Sequence, residues 1–200
     1  KEEFFRVGVS DVRIDRIGNV VARIGPEKGR KLLYNGHMDT VGVGNRAMWS
    51  RDPFDAEMTE GIIYGRGAAD MKGALAAMVY AAKILIDSGT ELGGDIYIVG
   101  VVQEEPCEGL AMSALVEEEG IRPDWVVLGE ATDLQLARGH RGRIELRVTT
   151  QGKSCHAATP QLGENAIYAA ARIIVGIELL VPQLNYDSFL GRGSTAVTDI

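Results

Sequence analysis

Cysteine is scarce in this sequence, since Cys107 and Cys155 are its two cysteines in 200 residues. Two thiols are too few for a disulfide framework, so we expect a protein of the reducing cytoplasm. Basic residues are outnumbered 21 to 28 by acidic ones, and the net charge of −7 argues against nucleic acid or an anionic membrane as a partner. No apolar run approaches the roughly 18 residues that span a bilayer, and the N-terminus lacks the design of a secretion signal.

What the sequence does contain is an alternation of strand-like and helix-like patterns. The pattern predicts a hairpin at residues 12–24, and apolar runs typical of buried strands follow at 31–35, 95–102 and 125–128. Apolar residues at helical spacing predict one helix up to about Ser88 and a shorter one through 111–119. This order predicts an α/β fold with a largely parallel sheet flanked by helices.

The pattern changes near Gly142. Residues 143–150 alternate between polar and apolar, which predicts a strand of a second, mostly antiparallel sheet. A helix is predicted at 164–181 and a further strand from Thr195. We therefore expect two domains, residues 1–140 and 141–200. The chain has no initiator Met and stops within a strand-like run, which is typical of a fragment, so we expect both domains to be incomplete.

Acidic side chains gather where the predicted strands end. His37, Glu104, Glu105 and Glu130 follow buried strands, and Asp70 lies in a glycine-rich loop that opens a helix. In open α/β sheets, ligands collect at the carboxyl ends of the strands. Several carboxylates in one crevice repel one another unless cations neutralise them. A histidine among carboxylates suits zinc, with cobalt and manganese as alternatives.

Two pairs of neighbours refine this interpretation. Asp39 follows His37 at strand spacing, so its carboxylate could fix one ring nitrogen while the other binds an ion. Glu104 and Glu105 are adjacent, and adjacent strand residues point to opposite sides. One of them could bind metal while the other handles a proton, which is the chemistry of metal-assisted hydrolysis.

Four motifs carry a resemblance to a known family: Gly36-His37-Met38-Asp39-Thr40, Gly65-Arg66-Gly67-Ala68-Ala69-Asp70-Met71-Lys72-Gly73, Gln103-Glu104-Glu105-Pro106 and Gly129-Glu130-Ala131. In order and spacing they resemble the di-zinc metallopeptidases and deacylases, which include acetylornithine deacetylase, succinyl-diaminopimelate desuccinylase, aminoacylase and carboxypeptidase G. The resemblance covers essentially the whole chain. The segment from Gly139 to His156 looks most like a branch of selenium-metabolism-linked hydrolases.

The resemblance implies two zinc ions. His37 and Glu130 would hold one ion, Glu105 would hold the other, and Asp70 would bridge both. A site with three protein ligands per zinc and one shared ligand needs about five ligand residues, and this chain offers four. In the family the fifth is a histidine far toward the C-terminus. The resemblance therefore implies that the 200 residues alone bind the second ion poorly and turn over little or nothing.

The resemblance also implies the reaction. Glu104 would act as general base, taking a proton from a metal-activated water and passing it to the leaving amine, and Asp39 would orient His37. The expected substrate is the amide bond of a small N-acyl amino acid or a dipeptide-like molecule. Residues 1–140 would then be the catalytic domain, which in the family starts with a helix that this chain lacks.

Residues 141–200 would be the first part of a smaller lid and dimerisation domain. Within the segment 152–160, His156 resembles the lid histidine that polarises the substrate carbonyl, often in the site of the partner subunit. This implies a homodimer formed through the lid domain. Neither His140 nor His156 matches the motif of the missing fifth ligand.

Other interpretations stay open at this point. The acids could be ordinary solvated loop residues, and His156 could be a surface histidine before a turn. Cys155 beside His156 could suggest a thiol nucleophile, although neighbours in sequence seldom face each other. The chain could also be an inactive relative that keeps the fold as a dimerising binding module, but Glu104 is intact.

Overall fold

The computed structural model describes residues 1–107 and 109–200. These residues form two compact units, Lys1–Leu134 and Gln135–Ile200. The division lies a few residues before the predicted domain boundary at residue 140.

A mixed sheet dominates the first unit. In the described residues the strands of this unit are β1 (Asp11–Ile14), β2 (Val20–Ile24), β3 (Lys31–His37), β4 (Glu57–Thr59), β5 (Ile62–Tyr64), β6 (Asp95–Val101) and β7 (Trp125–Leu128). The main sheet has the spatial order β1-β2-β6-β3-β7, and β4 and β5 form a separate hairpin. Strand β3 runs parallel to both β6 and β7, whereas β2 pairs antiparallel with β1 and β6. The predicted α/β class is confirmed, with a mixed sheet whose parallel strands are β3, β6 and β7.

Helices cover both faces of this sheet. They are α1 (Glu2–Arg6), α2 (Gly73–Asp87) and α3 (Leu110–Glu117). Helix α2 ends as the sequence predicts, because Gly89 takes a left-handed backbone (φ 63°) just beyond it.

The core lies in two layers, one on each face of the sheet. Val99 of β6 packs in one layer with Leu115 of α3, and Ile98 packs in the other with Phe4 of α1 and Ala82 of α2. Successive residues of a strand point to opposite faces, so a strand covered on both sides must be apolar throughout. This explains the continuous apolar run of β6.

Parallel pairing brings three strand ends to one edge. His37 at the end of β3 is in register with Val101 at the end of β6. Asn35 is in register with Leu128, the last residue of β7. The segments that follow β3, β6 and β7 therefore start at the same edge of the sheet.

In the second unit, the helix α4 (Ala166–Leu180) is capped by the side chain of Asn165, which accepts hydrogen bonds from the backbone N–H groups of Ile167 and Tyr168. A short hairpin follows, formed by β8 (Tyr186–Asp187) and β9 (Gly191–Arg192).

Two strands predicted in this unit do not form. Residues 143–150 and 195–200 are irregular in the structure, and Ile144 and Leu146 are exposed. Strand backbone needs a neighbouring strand for its hydrogen bonds, and the described residues pair none with these segments. The alternation at 143–150 therefore marks a segment with one apolar face that pairs with no strand among the described residues.

One helix bears on the expectation that no apolar run spans a membrane. By length and composition Ala166–Gln183 is long and apolar enough to cross a bilayer, with a mean hydropathy of 1.5. The sequence reasoning missed it because Arg172 and Glu178 interrupt its apolar residues. One such helix is weak evidence, since core helices of soluble proteins pass the same test.

Candidate metal centre

His37 is the buried centre of the candidate site. Its residue is 2% exposed at the end of β3. The ring nitrogen Nδ1 lies 3.0 Å from the backbone carbonyl of Asp39, and Nε2 lies 2.8 Å from Oδ1 of Asp70. A carbonyl oxygen accepts hydrogen bonds and cannot donate them, so Nδ1 carries a proton. In the neutral ring this leaves a lone pair on Nε2, the atom that faces the carboxylates.

Two carboxylates lie close to Nε2 of His37. One ligand atom from each of His37, Asp70 and Glu130 lies within 4.8 Å of the other two. Nε2 is 2.8 Å from Oδ1 of Asp70 and 3.9 Å from Oε1 of Glu130. Ligand atoms around a tetrahedral zinc with ordinary bond lengths lie about 3.3 Å apart, between these two distances. One imidazole nitrogen with two carboxylate oxygens is also a donor set that zinc accepts, so these residues fit a metal ion.

The charges of this cluster shift the pKa of two of its members. Burial opposes the charged imidazole, but hydrogen bonds to Asp70 and to the Asp39 carbonyl outweigh it and raise the pKa of His37. Burial raises the pKa of the Glu130 carboxyl; His37 opposes this shift, and the charges of Asp70 and Glu105 add to it. Carboxylates crowded in this way favour a bound cation.

The loop before α2 delivers Asp70. Gly67 takes a left-handed backbone (φ 83°), and a Cβ there would come within 2.6 Å of the Thr40 side chain. Asp70 has an extended backbone and precedes the fully buried Met71. Lys72 then donates a hydrogen bond of 2.6 Å from Nζ to the Met38 carbonyl. Sequence reasoning missed Lys72 as a contributor, although it stands inside the Gly65–Gly73 motif.

The turn after β6 carries the two glutamates. Strand β6 ends at Val101, and Gln103 has a positive φ of 56°. Glu104 and Glu105 therefore lie in a turn, so the argument from strand alternation does not apply to them. The backbone N–H groups of Glu104 and Glu105 donate to Oδ1 and Oδ2 of Asp39, at 3.3 and 3.1 Å.

Glu105 stands apart from the three-residue cluster in the part of the chain that the structure describes. Its Oε1 accepts a hydrogen bond of 3.1 Å from the backbone N–H of Val41. Its charge nevertheless adds to the rise in the pKa of Glu130, which burial chiefly causes. The role of Glu105 as ligand of a second ion stays a prediction, as does the role of Glu104 as base.

The predicted lid histidine belongs to the second unit. His156 is exposed, and its Nδ1 accepts a hydrogen bond of 3.1 Å from the backbone N–H of Ala158. His140 is also exposed and contacts the Arg141 carbonyl through Nδ1 at 3.0 Å. Cys155 lies 3.9 Å from the Pro160 carbonyl, which gives the thiol no base. The carbonyl-polarising role of His156 stays a prediction.

A histidine–carboxylate cluster at the strand ends of an α/β sheet is typical of metal-dependent hydrolases. The sequence profile of peptidase family M20/M25/M40 matches residues 33–189, and the chain belongs to this family. The resemblance seen in the four motifs is thereby confirmed.

Relatives extend the match over the whole chain. The uncharacterized protein YgeY of Escherichia coli K12 is 44% identical over 200 residues, which is 100% of this chain and 49% of that protein. A succinyl-diaminopimelate desuccinylase of Magnetococcus marinus is 34% identical over 179 residues, covering 84% of this chain and 47% of that protein. The chain thus spans about half the length of the curated relatives it matches.

A solved structure supports the fold. The metallo-carboxypeptidase Sso-CP2 of the M20 family, from Sulfolobus solfataricus, superposes with a TM-score of 0.57 and 28% identity. The match covers 64% of this chain and 30% of that chain.

Proposed function

We propose that the protein containing this chain is a zinc-dependent hydrolase that cleaves the amide bond of a small N-acyl amino acid or a dipeptide-like substrate. The observation that carries this proposal is the convergence of His37, Asp70 and Glu130 on one point at the strand ends. The family is metal-dependent and hydrolytic, which supports the reaction class. The relative named as a desuccinylase supports an acylated amino acid as substrate.

Two zinc ions are the proposed cofactors. His37 and Glu130 would hold the first, Glu105 would hold the second, and Asp70 would bridge them. Cobalt or manganese would suit the same donors. When bound, these ions would polarise the substrate carbonyl and lower the pKa of a bound water.

The side chains of this protein would then transfer the proton of the attacking water and stabilise the negative charge that develops on the substrate. Glu104 would accept a proton from the attacking water and deliver it to the nitrogen of the leaving amine. The Nδ1 contact of His37 with the Asp39 carbonyl would keep Nε2 directed at the ion. His156 would donate a hydrogen bond to the substrate carbonyl oxygen as negative charge develops there. A homodimer formed through the lid domain, in the cytoplasm, is part of the same proposal.

The test uses the full-length protein, purified without metal and reloaded with zinc. N-succinyl, N-acetyl and other N-acyl amino acids are assayed beside dipeptides, with and without a chelator. Glu104→Gln keeps the shape of the side chain but cannot take a proton, so kcat should fall at least about 100-fold with zinc still bound. The matched control is Glu117→Gln, the same change at an exposed position on α3.

Three outcomes would overturn the proposal. Hydrolysis that is indifferent to chelators but stopped by thiol reagents would indicate Cys155 chemistry. An unchanged kcat in Glu104→Gln would show that Glu104 is not the general base. A zinc-loaded dimer that hydrolyses none of these amides would support the inactive, dimerising relative.

A further inference from the structure

The carboxylate of Asp39 joins two separate segments of the chain. Its Oδ1 accepts a hydrogen bond of 3.3 Å from the backbone N–H of Glu104, and its Oδ2 accepts one of 3.1 Å from that of Glu105. Each oxygen therefore holds a different residue. The segment after β3 is in this way bound to the turn after β6, 65 and 66 residues further along the chain.

His37 does not need this carboxylate for its orientation. Nδ1 of His37 lies 3.0 Å from the backbone carbonyl of Asp39 and 3.7 Å from Oδ1 of its carboxylate. The shorter contact is a hydrogen bond and the longer one is not. A backbone carbonyl is present whatever side chain stands at position 39. The tautomer of His37 is thus fixed by a group that substitution of Asp39 leaves in place.

The turn that Asp39 holds needs an external partner. Gln103 enters it with a left-handed backbone (φ 56°), a conformation that persists when the surrounding structure supports it. Hydrogen bonds from N–H groups to a carboxylate are stronger than those between neutral groups. A third link, from the Val41 N–H to Oε1 of Glu105, joins the same two segments in the opposite direction. Together these bonds fix where the glutamates stand relative to His37.

We propose that Asp39 is a positioning residue for the Glu104–Glu105 turn, which sets the general base and the second-ion ligand against the first metal site. This inference rests on the proposed function for the meaning of the two glutamates. Its structural content does not, because the hydrogen bonds can be tested without any substrate.

The experiment compares Asp39→Ala and Asp39→Asn with the wild type in the full-length protein. Hydrogen exchange of the backbone amides in peptides spanning residues 102–107 is followed by mass spectrometry. Asp39→Ala removes both acceptors, so exchange at Glu104 and Glu105 should become about tenfold faster or more. Asp39→Asn keeps one acceptor, so one of the two amides should remain protected. Asp187→Ala is the matched control, because the Asp187 carboxylate also accepts from two backbone N–H groups, those of Phe189 and Leu190, both at Oδ1.

A titration with cobalt separates this role from an effect on His37. If Asp39 holds the turn, affinity for the first ion should change less than threefold, while binding of a second ion weakens and kcat falls with KM nearly unchanged. Unaltered exchange at 102–107 in Asp39→Ala would overturn the inference, and so would a loss of affinity for the first ion that exceeds the loss for the second.

Peptides from β6 (Asp95–Val101) report whether each variant is folded. If Asp39→Ala does not fold, the exchange of Asp39→Asn tests the inference by itself. If both amides stay as protected as in the wild type, the two hydrogen bonds are contradicted. A protein without any hydrolase activity would still give the exchange result, so failure of the proposed function is distinguishable.

Discussion

Asp70 meets His37 from a loop more than thirty residues away in sequence, and this contact is the shortest in the cluster at 2.8 Å. Asp70→Asn would keep the size of the side chain but remove its charge. We expect the affinity for zinc or cobalt to fall by more than about 100-fold, beyond the loss typical of residues that only support a ligand. Isothermal titration with each ion measures this.

The control for that experiment is Asp133→Asn. Asp133 is exposed and has a left-handed backbone (φ 53°) that asparagine also adopts readily. The affinity of the Asp133→Asn variant for zinc should equal that of the wild type. Equal affinity in Asp70→Asn as well would show that the cluster does not bind the ion.

Lys72 contacts the backbone beside the same site. Its ammonium group donates to the Met38 carbonyl, which lies between His37 and Asp39 in the chain. Lys72→Met would free the loop of Asp70 from the end of β3, and we expect about a tenfold loss of affinity for zinc. Lys72→Arg should recover part of this loss because arginine can still donate.

Lys83→Met on α2 is the comparison for Lys72, since Lys83 is partly exposed and makes an ion pair with Asp87 within its own helix. It should leave zinc affinity unchanged. If Lys72→Met behaves like Lys83→Met in the titration, the hydrogen bond to Met38 has no part in holding the site.

At the scale of elements, β3 approaches α2 closely because residue 36 has no side chain. A Cβ on Gly36 would lie 2.7 Å from Cε of Met71 and 2.8 Å from Cδ2 of Leu75. Gly36→Ala should therefore destabilise the first unit by about 1–3 kcal/mol, as overpacking does in other cores. Urea unfolding followed by fluorescence measures it.

Gly42→Ala provides the contrast, because nothing lies within 4 Å of the added Cβ. Its effect should stay within about 0.5 kcal/mol. A similar loss of stability in both variants would mean that close packing at Gly36 is not the cause.

Elements that depend on local pattern were predictable. The apolar run of β6 and the helical spacing in α2 are set by burial, which leaves its period in the sequence. Residues 143–150 show the limit of this reasoning. Their alternation records one apolar face, but a strand also needs a partner for its backbone, and pattern carries no information about that partner.

The candidate site divides in the same way. Placement at strand ends indicated His37 and Glu130, and the glycine-rich loop before a helix indicated Asp70; the structure brings these three together. The bonds from Asp39 to the turn of Glu104 were not predictable. They depend on the turn after β6, where Gln103 has a left-handed backbone, and no side-chain pattern predicts that conformation.

At the scale of the whole molecule, the first unit contains the three clustered candidate ligands and the second contains His156. A ligand that binds one folded unit stabilises that unit alone, unless the two unfold together. Unfolding of this chain is therefore best followed by calorimetry with separate probes for each unit, since two units can unfold in separate transitions.

Zinc should raise the unfolding temperature of residues 1–134 in the 200-residue chain. At a free concentration 100 times Kd, binding to the folded state adds about 2.7 kcal/mol. For a unit of this size that corresponds to a rise of roughly 5–15 °C.

We also expect one ion per chain, because Asp70 with His37 and Glu130 completes one set of ligands, while Glu105 lies outside that cluster. In the triple variant that replaces His37, Asp70 and Glu130 with alanine, zinc should shift no transition. An equal shift in that variant would mean that zinc binds elsewhere, and two tightly bound ions in the wild-type chain would contradict the need for a further ligand.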